Sequence, residues 1–266
     1  MPKQALVTLL TDFGTRDPYV AAMKGVILRM CPTAQIVDVC HDVSPQDILS
    51  ASLILAQTAP YYPRDTLHVV VVDPEVGTER RIIVAKFGGQ VFLFPDNGVI
   101  TFVAQAMLLE GMAVVRNPEY LPSSPESMTF HGRDIFAPLA AHILNGLDIK
   151  RLGPQPNTYK LLELPVVRLE EGSLVGQVIY VDNFGNLISN ISRRDVEETY
   201  GGLDRLCVVC GGRDVGPLQG AYGFVARGQA LALFNSMQLL EIAVNLGNAG
   251  EVLGLGIGAE ISLNRE

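Results

Sequence analysis

The stretch Thr66–Arg81 reads TLHVVVVDPEVGTERR. Its first seven residues are almost entirely apolar and do not alternate with polar ones. A strand with one wet face alternates, so this run is expected to be covered on both faces, as in a parallel sheet between helices. Asp73 stands at the mouth of the strand, a glycine-bearing turn follows, and Arg80 begins the next segment. Ligands of open α/β sheets bind beyond the carboxyl ends of strands. The Asp73–Arg80 pair is therefore either a tie that holds a loop or part of a site.

Outward from this strand the first half of the chain alternates between two periods. QALVTLL and AQIVDVC read as strands. Between them, DPYVAAMKGVILRM spaces Val20, Met23, Ile27 and Met30 along one helical face. SPQDILSASLILAQTA reads as a helix with a Ser-Pro start and Asp47 in its first turn. RIIVAKF and QVFLFP, joined by Gly88-Gly89, read as a hairpin. NGVITFVAQAMLLEG and GRDIFAPLAAHILNG read as helices closed by glycine. The expectation is an N-terminal α/β domain over 1–165 with a mainly parallel sheet and flanking helices.

Prolines 154, 156 and 165 punctuate an aperiodic stretch after that. Beyond it come LVGQVIYVD, NLISNIS, RLCVVC, ALALFN, LLEIAV and AEISL, short β-like segments between glycine-rich turns. They predict a smaller C-terminal antiparallel β-domain, 171–266, barrel-like and without long helices.

A net charge of −8 argues against a nucleic-acid or anionic-membrane surface, since both demand lysine and arginine. No apolar run approaches the ~20 residues of a membrane span. The N-terminal stretch reads as a first strand, not a signal peptide. Four cysteines among 266 residues make no disulfide scaffold. Cys207 and Cys210 lack the second pair of ligands a zinc site needs and read as strand residues. A cytoplasmic location fits this usage.

The residues that follow the apolar runs form a polar rim: Asp12, His41-Asp42, Asp73 and Asp96-Asn97. Asp12, in TDFG, can close an Asx-turn or accept bonds from vicinal hydroxyls. The kinase reading of Asp-Phe-Gly fails because the chain has no glycine-rich loop, lysine strand or catalytic loop around it. His131, in FHGRDIFAP, precedes Gly132, whose missing side chain permits close approach to the backbone. Apolar Phe130, Ile135 and Phe136 hold the histidine at a packed helix entrance. It is either structural or, if it meets Asp73 and Arg80, one member of a water-activating group that needs no metal. In the C-terminal half, Asp182-Asn183-Phe184-Gly185-Asn186 offers a carboxylate, amides and an aromatic face in one turn. Tyr222 is a second stacking surface, and Asn235-Ser236 lies between strands.

LLTDFGTRDPYVAAMKGVI, VVVVDPEVGTERR, PDNGVI, FHGRDIFAP, VDNFGNLISNI and LLEIAVNLGNA, in that order, resemble the adenosine-forming S-adenosyl-L-methionine (SAM) hydrolases, or SAM hydroxide adenosyltransferases, relatives of the bacterial fluorinase and chlorinase. The resemblance spans nearly the whole chain. It implies a homotrimer with active sites between the N-domain of one subunit and the C-domain of its neighbour. By motif, Asp73, Arg80 and His131 match the family's water-positioning set. Asp12 matches the ribose-holding carboxylate, Asp182 a contact to the methionine amino group, and Asn186 one to adenine. Phe184 and Tyr222 would flank the base, Ser236 would lie near the methionine carboxylate, and Asn97 joins the substrate-binding set through PDNGVI. Gly132 stands where the fluorinase has a halide-binding serine, and Asp73 where it has a tyrosine. Both departures favour water over fluoride. Met237 replaces an arginine that holds the methionine carboxylate there.

The implied activity is hydrolysis of SAM to adenosine and L-methionine, without cofactor or metal, by in-line attack of water on the ribose 5′ carbon. Either His131 or Asp73 takes the proton while Arg80 orients the water. The alternatives are a chlorinase-type halide transferase, a non-catalytic SAM or nucleoside sensor, and a metal-dependent phosphoesterase built on the acidic rim.

Overall fold

The computed structural model describes residues 5–122 and 129–265. The chain forms two compact units, Met1–Leu162 and Glu163–Glu266.

The first unit contains β1 (Leu6–Thr11), α1 (Tyr19–Met30), β2 (Gln35–Cys40), α2 (Ile48–Thr58), β3 (Leu67–Val71), β4 (Ile82–Phe87), β5 (Gln90–Pro95), α3 (Thr101–Ala106), β6 (Leu109–Val114) and α4 (Ala137–Leu144). The sheet order is β2-β1-β3-β5-β4-β6. β1 runs parallel to β2 and β3, and β3 parallel to β5. β4 is antiparallel to both β5 and β6. The sheet is thus mixed and mostly parallel, as expected.

β3 is buried along its whole length. Leu67, Val69 and Val71 pack into one apolar layer with Met23 and Ile27 of α1 and Leu139 and Ala140 of α4. Val70 and Val72 enter the opposite layer with Ala51 and Leu55 of α2 and Val103 of α3. Two helical layers explain why the valines do not alternate with polar residues. Each buried valine contributes about 1.5–3 kcal/mol.

The helices of the sequence reading occur, with three differences. Asp47 stands at the N-cap of α2, outside the first turn, and its side chain accepts from Ser50 N. α3 ends at Ala106, and the LEG portion of the expected helix, from Leu109, begins β6 instead. Leu108 and Leu109 are 80% and 38% exposed, so a helix there buries no apolar face. Pairing with β4 satisfies the backbone at the sheet edge. Finally, the helix after His131 opens with a π-helical turn, Gly132–Phe136, before α4. The β4–β5 hairpin turns at Gly88 and Gly89, with φ of 56° and 84°, the left-handed pair that a tight hairpin requires.

The second unit contains β7 (Arg168–Glu170), β8 (Ser173–Val181), β9 (Leu187–Ser192), α5 (Arg193–Tyr200), β10 (Leu206–Cys210), β11 (Arg213–Pro217), β12 (Ala230–Phe234), β13 (Leu239–Val244), α6 (Ala249–Leu253) and β14 (Glu260–Arg265). The antiparallel order is β11-β10-β14-β8-β9-β13-β12, with β7 on β8. A bridge between Leu218 and Ala232 brings the two ends together, so the barrel is nearly closed. The helix α5 was absent from the sequence expectation because it buries only Val196. Its signal was a capping box: Ser192 and Asp195 each bond the other's backbone N–H. Cys207 and Cys210 lie three apart on the strand β10. Among the described residues no helix is long and apolar enough to cross a membrane.

Candidate active site

Strand order changes direction at β1, with β2 on one side and β3 on the other. Such a switch point opens a crevice beyond the strand ends. Asp12 follows β1 and Asp73 follows β3.

The segment after β3 folds back through two overlapping turns. Val76 N donates to Asp73 O at 3.3 Å, and Thr78 N donates to Glu75 O at 3.1 Å. Gly77 takes φ +82°. Arg80 then returns to Asp73: its Nε donates to Asp73 Oδ2 at 2.6 Å, and its Nη2 lies 2.6 Å from the same oxygen. Both side chains are only 3% exposed. Among the described residues Asp73 Oδ1 accepts one long bond, 3.3 Å from Glu75 N.

His131 completes the group from 51 positions further along. Arg80 Nη2 lies 2.9 Å from its Nδ1. A guanidinium only donates, so Nδ1 accepts, and the ring is neutral with its proton on Nε2. Burial and the Arg80 charge hold the imidazole pKa below its usual range, against the pull of Asp73 and Asp134. The π-helical turn begins at the next residue. The Phe136 ring stands 6.0 Å from the Arg80 guanidinium. The Asp73 side chain, Arg80 and His131 therefore form one continuous hydrogen-bonded chain with a carboxylate oxygen to spare.

The other rim residues serve more local ends. Asp12 Oδ2 accepts from Gln46 N at 2.9 Å and pins the loop before α2, where Gln46 adopts φ +67°. Asn97 is buried; its Nδ2 donates to Val72 O and its Oδ1 accepts from Val99 N. It thus fixes the backbone just before Asp73. Asp96 pairs with Arg81 and accepts from Lys160 N. His41 Nδ1 lies 2.9 Å from Thr11 Oγ1, and its Nε2 lies 2.9 Å from Asp38 Oδ1. At Gly132 a Cβ would meet Met23 Sδ and Phe13 Cε2 at 3.1 Å and Phe130 Cε2 at 3.2 Å. The close approach permitted by this glycine is made by the protein's own side chains.

In the second unit, Asp182 organises the β8–β9 turn. Its Oδ1 accepts from Phe184 N and Asn186 N, and its Oδ2 from Asn186 Nδ2. Asn186 is buried, while Phe184 is 74% exposed. Tyr222 begins a short 3-10 turn, and its hydroxyl donates to Glu241 Oε1 at 2.8 Å. Ser236 is exposed in the β12–β13 turn, which Asn235 braces by accepting from Met237 N. β13 pairs with β9 so that Leu239 meets Ser192 and Ile242 meets Leu187. Ser236 and the Asp182 turn therefore lie toward opposite ends of that ladder. The sequence reading passed over Glu241, although a lone acid inside LLEIAV was a signal for it.

Comparison with known proteins places these motifs in context. Residues 7–153 match the SAM hydroxide adenosyltransferase N-terminal domain, and residues 176–262 match the C-terminal domain of that family. The chain is 40% identical to an (R)-S-adenosyl-L-methionine hydrolase of Thermus thermophilus, over 97% of this chain and 98% of the relative. It is 37% identical to one from Salinispora tropica, over 95% of each. A crystal structure of an uncharacterized conserved protein from Thermotoga maritima superposes with a TM-score of 0.88 at 39% identity, covering 97% of this chain and 100% of that one.

Proposed function

The chain belongs to the SAM hydroxide adenosyltransferase family, and we infer that it hydrolyses S-adenosyl-L-methionine to adenosine and L-methionine. The observation that carries the reaction's assignment to one place is the Asp73–Arg80–His131 hydrogen-bonded chain at the end of β3.

The sulfonium of SAM makes methionine a neutral leaving group, so departure needs no general acid. The difficulty is the nucleophile, since bulk water has a pKa of about 15.7. A water held in line with the ribose 5′ carbon, opposite sulfur, attacks as the carbon–sulfur bond breaks and its electron pair returns to sulfur. As the carbon–oxygen bond forms, the water becomes strongly acidic and a carboxylate suffices to take its proton. Positioning supplies up to ~7–11 kcal/mol, and general-base assistance about 10²–10⁴-fold.

The hydrogen bonds of the two candidate bases support a division of roles between them. His131 Nδ1 is occupied by the Arg80 bond, and Nε2 carries the proton, so the ring donates to the water and orients it. Asp73 Oδ1 retains free acceptor capacity and takes the proton. Arg80 keeps both partners in register and offsets charge that develops on the attacking oxygen. Asp12 Oδ1 holds the ribose hydroxyls. Asn97 supports Asp73 from behind, and Gly132 lets Phe13 and Phe130 close around the helix start. Asp182, Phe184, Asn186, Tyr222 and Ser236 of a neighbouring subunit complete the nucleoside and amino-acid ends in a homotrimer.

The reaction runs without metal. Among the described residues no group of three or more His, Cys, Asp and Glu side chains is arranged to hold one. A cytoplasmic location belongs to the same proposal. The test is incubation of the purified protein with SAM in oxygen-18-labelled water, followed by chromatography and mass spectrometry. Adenosine carrying the label at its 5′ hydroxyl, with unlabelled methionine, is expected. SAM left intact overturns the assignment; a halide-dependent product redirects it to the chlorinase class.

A further inference from the structure

Glu241 lies in the middle of β13, paired on one side with Leu233 and on the other with Ile188. Leu240, Ile242 and Val244 point into the barrel core. Strand alternation sends Glu241 and Ala243 to the opposite face. There Ala243 packs with Leu231, Leu233 and Val225, so the segment that carries Tyr222 and Val225 covers this face. Glu241 is 3% exposed. A carboxylate in such aliphatic surroundings is costly unless hydrogen-bonded. Tyr222 Oη supplies one bond at 2.8 Å and the Asn235 side chain another. Burial raises the Glu241 pKa, and Asp182 raises it further. Among the described residues no lysine or arginine forms an ion pair with Glu241. The hydrolysis chemistry makes no use of this group.

Tyr222 is built in the complementary way. Its turn spans only Tyr222–Phe224, with Gly220 and Gly223 close by, so the backbone constrains the side chain weakly. The residue is 46% exposed while its hydroxyl is anchored. One end of the ring is tied to a strand that has neighbours on both sides, and the rest is open.

We propose that Glu241 is a positioning residue: through the Tyr222 hydroxyl it locks that ring in the orientation that receives the base of the nucleoside. The inference rests on the assignment of Tyr222 to the substrate site. An ordered aromatic platform saves the ligand the cost of ordering it on binding, so the benefit falls on affinity and not on the chemical step.

The experiment combines Glu241→Leu, which removes the acceptor, Tyr222→Phe, which removes the donor, and the double variant, all on the full chain. Each single variant is expected to raise KM for SAM about five- to tenfold, with kcat within about twofold of wild type. The double variant should be no worse than the weaker single one, because both changes cut the same bond. Additive losses, an unchanged KM in Tyr222→Phe, or a loss confined to kcat would overturn the proposal. A second measurement needs neither substrate nor turnover. In protein labelled with 3-fluorotyrosine, the fluorine-19 resonance missing from Tyr222→Phe identifies residue 222. Burial, Glu241 and Asp182 push the unmodified Tyr222 hydroxyl up to about 12. The labelled ring should therefore titrate above the exposed tyrosines, and Glu241→Leu should lower it. A resonance that titrates with the exposed rings, or ignores Glu241→Leu, counts against Glu241 even if SAM is turned over. A wild type that shows both titration effects but leaves SAM intact fails the reaction and keeps the coupling.

Discussion

The Arg80 guanidinium donates at once to Asp73 Oδ2, at 2.6 Å, and to His131 Nδ1, at 2.9 Å. It joins the end of β3 to the start of the π-helical turn before α4. A lysine keeps the charge but not the fork. Arg80→Lys should lower kcat by about 10²–10³-fold, the scale of losing one preorganised donor. KM for SAM should change only severalfold. Steady-state kinetics check this split, and a loss confined to KM would assign Arg80 to binding.

The same bond sets a pH dependence. Protonation of His131 places a hydrogen on Nδ1 and a second positive charge against Arg80. Because burial and Arg80 hold the imidazole pKa below its usual range, the ring stays neutral at pH 7. The kcat/KM profile should be flat through neutrality and fall on an acid limb below the ordinary histidine region. An acid limb above pH 7 would contradict a neutral His131.

His68 predicts a change in stability rather than in rate. It is fully buried in β3, hydrogen-bonded to Thr8 Oγ1 and stacked on Phe92. Burial lowers its pKa from 6.5 to about 4. Between those values the unfolded chain binds a proton that the folded chain does not, so stability rises with pH. Acidification from pH 6.5 to 4 should remove roughly 3 kcal/mol. Urea titrations across this range should show the loss, and His68→Gln should flatten it.

Gly185 is a tight point of the second unit. It has φ +80°, and a Cβ there would lie 2.1 Å from Asn248 Cγ and Oδ1. Asn248 caps α6 by accepting from Glu251 N. Gly185→Ala should cost about 2 kcal/mol, from backbone strain and loss of the cap. Chemical denaturation measures it directly.

Extended dialysis against a chelator should leave SAM turnover unchanged. A rate restored only by an added divalent cation would revive the phosphoesterase-like reading of the acidic rim.

Much of this protein was legible from local pattern. The unbroken valines of β3 announced a strand covered on both faces, and two helical layers cover it. Short β-segments between glycines announced the barrel. These signals are read over a few residues, because burial of a strand or helix face imposes its period on the sequence. The end of α3 and the start of β6 were not legible, since β6 is fixed by pairing with β4, more than twenty positions earlier. Side-chain partners were decided by the fold alone. Nothing near Arg80 in the chain says that its Nη2 meets a histidine 51 positions away, nor that the acid in LLEIAV takes a tyrosine hydroxyl. A hydrogen bond depends on distance through space, to a few tenths of an ångström, and only the packed chain sets that distance.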